Sequence, residues 1–313
     1  MKLAFLYAGQ GSQKAGMGKD MYVSNSIFKE SIDRCDEEYK KQNTGIGLKE
    51  LMFEAPLEKL SQTRYTQVAM GAFAVAMTNV LFEKNIRPEA VAGLSLGEYS
   101  ALYAAGVFKE SEIIDLLSCR GAYMEEAAKG VNAKMSAVLG LGREPIKEAV
   151  RQAAAIGKVE ISNYNSTGQT VIGGEEPAVE EAKKLCLQAG AKKCMDLNVS
   201  GPFHTSYMEG AAEKLAEKFT HISFGREQIP VIYNTIARER LGENITDLLV
   251  RQVKSSVYME DTILYLEQKG FDSVIEIGPG KVLSGFVRRT AGGIKTYAVD
   301  SEQSLMKLLE EMS

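Results

Sequence analysis

The sequence carries only two histidines, four cysteines and no run of Lys or Arg longer than two residues, and each scarcity closes off a class of function. Binding nucleic acid calls for concentrated positive charge against phosphates, whereas this chain disperses its cations and has a net charge of −4, so no nucleic-acid partner is expected. Cys35, Cys119, Cys186 and Cys194 form no C-x-x-C and no paired spacing. That is cysteine usage of a reducing compartment, where thiols serve as small core residues. Two distant histidines and isolated cysteines also offer no recognisable metal site, so no metal is expected.

Long apolar runs are scarce as well. The apolar start of the chain spans only about six residues before a glycine-rich polar loop, which suits a buried strand better than a signal peptide. Tyr65 to Phe82 carries no charge and approaches membrane-spanning length. It includes Thr66, Gln67, Thr78 and Asn79 and is padded with alanine, the composition of a helix buried in protein. No membrane association is expected, and the cytoplasm is the expected location.

What remains is an ordinary globular composition, 45% hydrophobic and 25% charged over 313 residues, enough for one large domain or for a large domain carrying a smaller one. Short apolar runs alternate with segments of helical period, the pattern of a parallel α/β sheet. Strands are expected at Leu3–Tyr7, Ala90–Leu94, Val231–Thr235, Ser273–Ile277 and Lys295–Val299. Helices are expected over Ser26–Lys41, Tyr65–Lys84, Leu96–Ala105, Ser111–Ala127, Ser206–Phe219, Met259–Lys269 and Val282–Thr290. Residues 129–198 read differently, as β-α-β-β-α-β, the ferredoxin-like order. The expected organisation is a large α/β domain from residues 1–128 and 199–313 with this small domain inserted.

Gly93-Leu94-Ser95-Leu96-Gly97 is a G-x-S-x-G motif lying between an expected strand and an expected helix. That junction holds a serine in a tight turn with its oxygen exposed, and the helix N-terminus favours negative charge nearby. A plain helix N-cap serine is the bland alternative. A serine nucleophile at neutral pH wants a histidine base. His221 sits at the polar end of a helical segment and reads as surface. His204, in Gly201-Pro202-Phe203-His204, lies on a rigid loop before a helix and is the candidate base. No Asp or Glu presents itself as the third member, so the expectation is a dyad oriented by a neutral acceptor that spacing alone does not identify.

The loop Ala8-Gly9-Gln10-Gly11-Ser12-Gln13 follows the first strand and should reach the same sheet edge as Ser95. Its glycines free backbone N–H groups to face a small anion, and the N–H groups of Gln10 and Leu96 make a two-donor oxyanion hole. The loop lacks the spacings of nucleotide-binding motifs. Arg120 sits among apolar residues. Its alternatives are an internal salt bridge or, if the substrate carries a free carboxylate, a bidentate clamp.

Taken together these motifs resemble the malonyl-CoA:acyl carrier protein transacylase family. The resemblance runs end to end and adds Cys119-Arg120-Gly121, Asn163 to Gln169, Leu249-Val250-Arg251-Gln252 and Glu276 to Gly280. It implies a hydrolase-like α/β core with a mainly parallel sheet flanked by helices, plus a ferredoxin-like insert. It implies Ser95 as nucleophile, His204 as base, and the backbone carbonyl of Gln252 as the group that orients the imidazole. It places the oxyanion donors at Gln10 and Leu96 and the malonyl carboxylate on Arg120. Leu96 and Phe203 look like the malonyl-selecting forms of their motifs. Implied partners are malonyl-CoA, as substrate with no separate cofactor, and a phosphopantetheinylated acyl carrier protein; a monomer is expected. Family members usually carry His where this chain has Leu94, and often Pro at Ala8 and Thr167 and Trp at Met259. A malonyl-loading acyltransferase of polyketide or polyunsaturated-fatty-acid synthesis, a serine thioesterase or hydrolase, and a non-catalytic scaffold are the rival readings.

Overall fold

The computed structural model describes residues 1–42 and 45–312. Among these described residues ten strands, interspersed with helices, form two five-stranded sheets. The first comprises β1 (Leu3–Tyr7), β2 (Ala90–Gly93), β7 (Val231–Ile232), β9 (Ser273–Ile277) and β10 (Lys295–Val299), in the order β10-β9-β1-β2-β7. All of its pairings are parallel. Side chains alternate between its faces: Leu3, Phe5 and Tyr7 enter one apolar cluster, Ala4 and Leu6 another. Both faces are therefore buried, which is why these strands are almost uniformly apolar.

The second sheet comprises β3 (Ala133–Leu139), β4 (Val159–Ser166), β5 (Gln169–Glu175) and β6 (Lys193–Asp196). Its two helices, Arg143–Ala153 and Glu176–Gln188, complete the β-α-β-β-α-β order. The strand order is β6-β3-β5-β4, antiparallel throughout, with Val138, Ile146, Ile172 and Val179 in a core of its own. A fifth strand comes from elsewhere in the chain: β8 (Val257–Tyr258) pairs parallel with β4.

The Thr63–Glu83 helix is long and apolar enough to cross a membrane by length and composition, but 83% of its most apolar window is buried inside the protein. It is a core helix, so its apolar character answers to protein on every side.

Register positions the site. Tyr7 lies opposite both Gly93 and Ile277, so β1, β2 and β9 end level with one another. The chain after each strand leaves at one carboxyl edge, where open α/β sheets bind ligands.

Candidate active site

Ser95 follows β2 by two residues and caps the Leu96–Ala104 helix, with φ 57° and ψ −108°. The glycines around it are a steric requirement. A Cβ on Gly93 would lie 2.0 Å from the Gly97 carbonyl carbon, and one on Gly97 would lie 2.2 Å from the Tyr7 carbonyl oxygen. Strand and helix approach too closely there for any larger residue.

His204 reaches Ser95 from a loop 109 positions later, with Nε2 2.7 Å from Ser95 Oγ. The loop is held by the Ser162 hydroxyl, which donates to the Phe203 carbonyl at 2.7 Å. Nδ1 of His204 lies 2.8 Å from the Gln252 carbonyl oxygen. A carbonyl only accepts, so Nδ1 carries the hydrogen and Nε2 is left to accept from the Ser95 hydroxyl. The imidazole is 4% exposed. Burial, and secondarily the nearby Arg120 charge, pull its pKa down to about 3, so it is neutral at ordinary pH.

Arg120, on the Glu110–Ala127 helix, has no solvent exposure. Its Nη1 donates to Gln67 Oε1 at 2.6 Å, and its Nη2 to Gln252 Oε1 at 2.9 Å and Ser95 Oγ at 3.2 Å. All three acceptors are neutral, and among the described residues Arg120 forms no salt bridge; burial pushes its pKa down. A buried guanidinium without a carboxylate is an unmet electrostatic demand.

Gln10, Leu94, Ser95, Phe203 and His204 line a cavity of about 130 Å³, with Met135, Asn163, Asn165 and Val171 of the second sheet closing it. The Leu96 N–H opens a helix and the Gln10 N–H follows β1; neither donates to an acceptor among the described residues. His221, by contrast, is exposed beyond the end of the Glu209–Phe219 helix. Among the described residues no three His, Cys, Asp or Glu side chains gather as a metal-binding group.

Four contributors escaped sequence reasoning: Gln67, the side chain of Gln252, Asn234 and Glu98. A lone amide in the apolar Thr63–Glu83 helix was the available signal for Gln67, because a buried polar group implies a partner. Gln252 is likewise a polar member of a buried stripe, with Leu248, Leu249 and Val253, on the Ile245–Lys254 helix.

A family model described as the acyl transferase domain matches residues 4–304. The chain belongs to this acyltransferase family. The acyltransferase is 38% identical over 306 residues to a Bacillus subtilis protein named malonyl CoA-acyl carrier protein transacylase, covering 97% of this chain and 95% of the relative. Its fold matches the crystal structure of MCAT from Streptococcus pneumoniae with a TM-score of 0.93 and 46% identity, over 99% of this chain and 100% of that one. It also matches, at a TM-score of 0.93 and 37% identity, the malonyl-transacylase of a solved complex with a type II PKS acyl-carrier protein. That match covers 99% of this chain and 100% of the other.

Proposed function

We propose that this acyltransferase moves malonyl from malonyl-CoA to the phosphopantetheine thiol of an acyl carrier protein through a malonyl ester of Ser95. The observation that carries the reading is Arg120, a buried cation that forms no salt bridge among the described residues, 3.2 Å from the Ser95 hydroxyl. A malonyl thioester brings the missing carboxylate to that point, and an acetyl thioester does not.

The geometry orders the steps. Neutral His204 accepts the Ser95 proton at Nε2 as Oγ attacks the thioester carbonyl. The tetrahedral oxyanion is met by the unoccupied N–H groups of Gln10 and Leu96, each donor contributing about 3 kcal/mol to the transition state. The C–S bond breaks, and coenzyme A leaves with the proton from His204. In the second half-reaction His204 takes the proton of the carrier thiol, the thiolate attacks the ester, and Ser95 recovers its proton from the imidazolium. Bound malonyl also neutralises Arg120, the second cause of the weak basicity of His204. The substrate that fits thus strengthens the base.

The carrier reading is supported by the relative solved with an acyl-carrier protein. Carrier proteins of this kind are acidic, and Lys192-Lys193 and Arg288-Arg289, all exposed, are the cationic pairs offered to one. The enzyme is read as a cytoplasmic monomer.

Radiolabelled malonyl-CoA and holo carrier protein decide between transfer and hydrolysis. Label on the carrier supports the transferase, and label released to water with none on the carrier supports a thioesterase. Intact mass after malonyl-CoA alone should show one malonyl adduct, absent from Ser95→Ala; a folded wild-type protein with no adduct would be a scaffold.

A further inference from the structure

Ser95, His204 and Arg120 account for the chemistry but not for what holds the nucleophile turn in place. At φ 57° and ψ −108° Ser95 occupies a conformation that non-glycine residues keep only where their surroundings over-determine it. Two polar side chains from distant parts of the chain, Asn234 and Gln252, converge on the backbone of this turn, and a third, Glu98, holds both. Asn234, just past β7, accepts the Ser95 N–H at 2.8 Å and donates Nδ2 to the Gly93 carbonyl at 2.6 Å. It spans the turn much as a neighbouring strand would. Gln252 Nε2 donates to the Ser95 carbonyl at 2.7 Å. Glu98 Oε2 then accepts from the Asn234 N–H at 3.2 Å and from Gln252 Nε2 at 3.1 Å. Glu98 is 1% exposed, and Asn234 and Gln252 are fully buried, where such bonds are strong and unpaired groups costly.

We propose that Asn234 and Glu98 are positioning residues for acylation: Asn234 clamps the turn that carries Ser95, and Glu98 fixes both Asn234 and the Gln252 amide. The inference rests on Ser95 being the nucleophile. Gln252 is the hub through which Glu98 acts. Its carbonyl orients His204, its Oε1 holds Arg120, and its Nε2 holds Ser95. Asn234 also occupies the Ser95 N–H, which leaves oxyanion stabilisation to Gln10 and Leu96. Neither positioning residue lines the cavity: Asn234 acts through Ser95, which does, and Glu98 acts one step further back, through Asn234 and Gln252.

The test uses the full chain, malonyl-CoA and rapid-quench intact mass to follow the Ser95 adduct, with circular dichroism and thermal unfolding as the measure of folding. For Asn234→Ala the adduct rate at saturating malonyl-CoA should fall roughly tenfold to a hundredfold, the scale of an ångström-sized misplacement. The half-saturating concentration should move less than about threefold, because ground-state contacts to substrate are intact. In Asn234→Asp a protonated carboxyl restores one acceptor and one donor, whereas the ionised form sets an oxygen against the Gly93 carbonyl. Its rate relative to wild type should therefore climb as pH falls. A folded Asn234→Ala that acylates within about twofold of wild type overturns the inference, as does a loss confined to half-saturation. If Asn234→Ala does not fold, Asn234→Leu, which keeps the side chain's shape and removes both of its bonds, decides, and acylation within about twofold of wild type overturns the inference. Wild type forming no adduct removes the nucleophile reading and this inference with it; equal rates in wild type and variant remove this inference alone.

Discussion

In the proposed function, Arg120 is the residue on which substrate choice turns. Its hydrogen bonds go to two amides and a hydroxyl, groups that orient a guanidinium without neutralising it. Replacing it by alanine should lower kcat/KM for malonyl-CoA roughly tenfold to a hundredfold, the equivalent of a charge-assisted bond of about 1.5–3 kcal/mol. Acetyl-CoA should lose less than about threefold, and equal losses in steady-state kinetics with both thioesters would mark Arg120 as structural. The same substitution removes the second cause of the low His204 pKa while leaving burial, the first, in place. The imidazole should then protonate at a higher pH, moving the acid limb of the acylation profile upward.

Glu98 offers a separate prediction with the opposite linkage. Burial lifts its pKa to about 8 against the opposing pull of Gln252 and Asn234 hydrogen bonds and the Arg120 and Arg251 charges. The folded state holds a proton that the unfolded chain releases near pH 4.5. The stability this contributes is full below that value and is lost as pH rises through about 8. Glu98→Gln has no such proton to lose. Its urea midpoint relative to wild type should improve between about pH 5 and about pH 9, and parallel curves would contradict the assignment.

The element that defines the site is the β2–turn–helix junction, and it was legible in the sequence because its constraint is local and steric. Gly93 and Gly97 are needed within five residues of chain, and a Cβ on Gly97 would press on the Tyr7 carbonyl oxygen at 2.2 Å and the Ala8 carbonyl oxygen at 3.0 Å. Backbone cannot step aside as a side chain can. Gly97→Ala should cost about 1–3 kcal/mol and abolish the adduct by displacing Ser95; thermal unfolding at the wild-type midpoint would refute the packing argument. Other elements hid what they do. Val231–Thr235 reads as one strand, yet only Val231 and Ile232 pair with β2, because Asn234 turns inward to the Ser95 turn. The Ile245–Lys254 helix carries the hub of the site, although nothing in its own spacing says that Gln252 meets Ser95, 157 positions away. Local sterics leave a mark in sequence, and convergence of distant polar groups does not.

At the scale of the molecule, the cavity belongs to both sheets. β8 leaves the region of the first sheet to join the second, and Arg143 grips Glu260 at 2.5 Å and Asp261 at 2.6 Å from across that junction. Arg143 also stacks 4.4 Å from the Tyr164 ring centre. The apolar wall of Met124, Met135, Val171, Leu197, Val199 and Phe203 is therefore assembled by the whole fold rather than by one sheet. Under the proposed mechanism, exchange between two thioesters has little driving force whereas hydrolysis of the ester intermediate is downhill, so the fold would have to keep water away while a thiol is admitted. With malonyl-CoA exhausted and no acceptor present, the Ser95 adduct should outlast its discharge to holo carrier protein by roughly a hundredfold or more. Phe203→Ala, which opens the wall beside His204, should shorten the adduct's life in water and leave discharge to the carrier less affected. Both lifetimes are read by intact mass after a single turnover. An adduct lost to water as fast as to the carrier would mean that the two-sheet enclosure does not protect the ester.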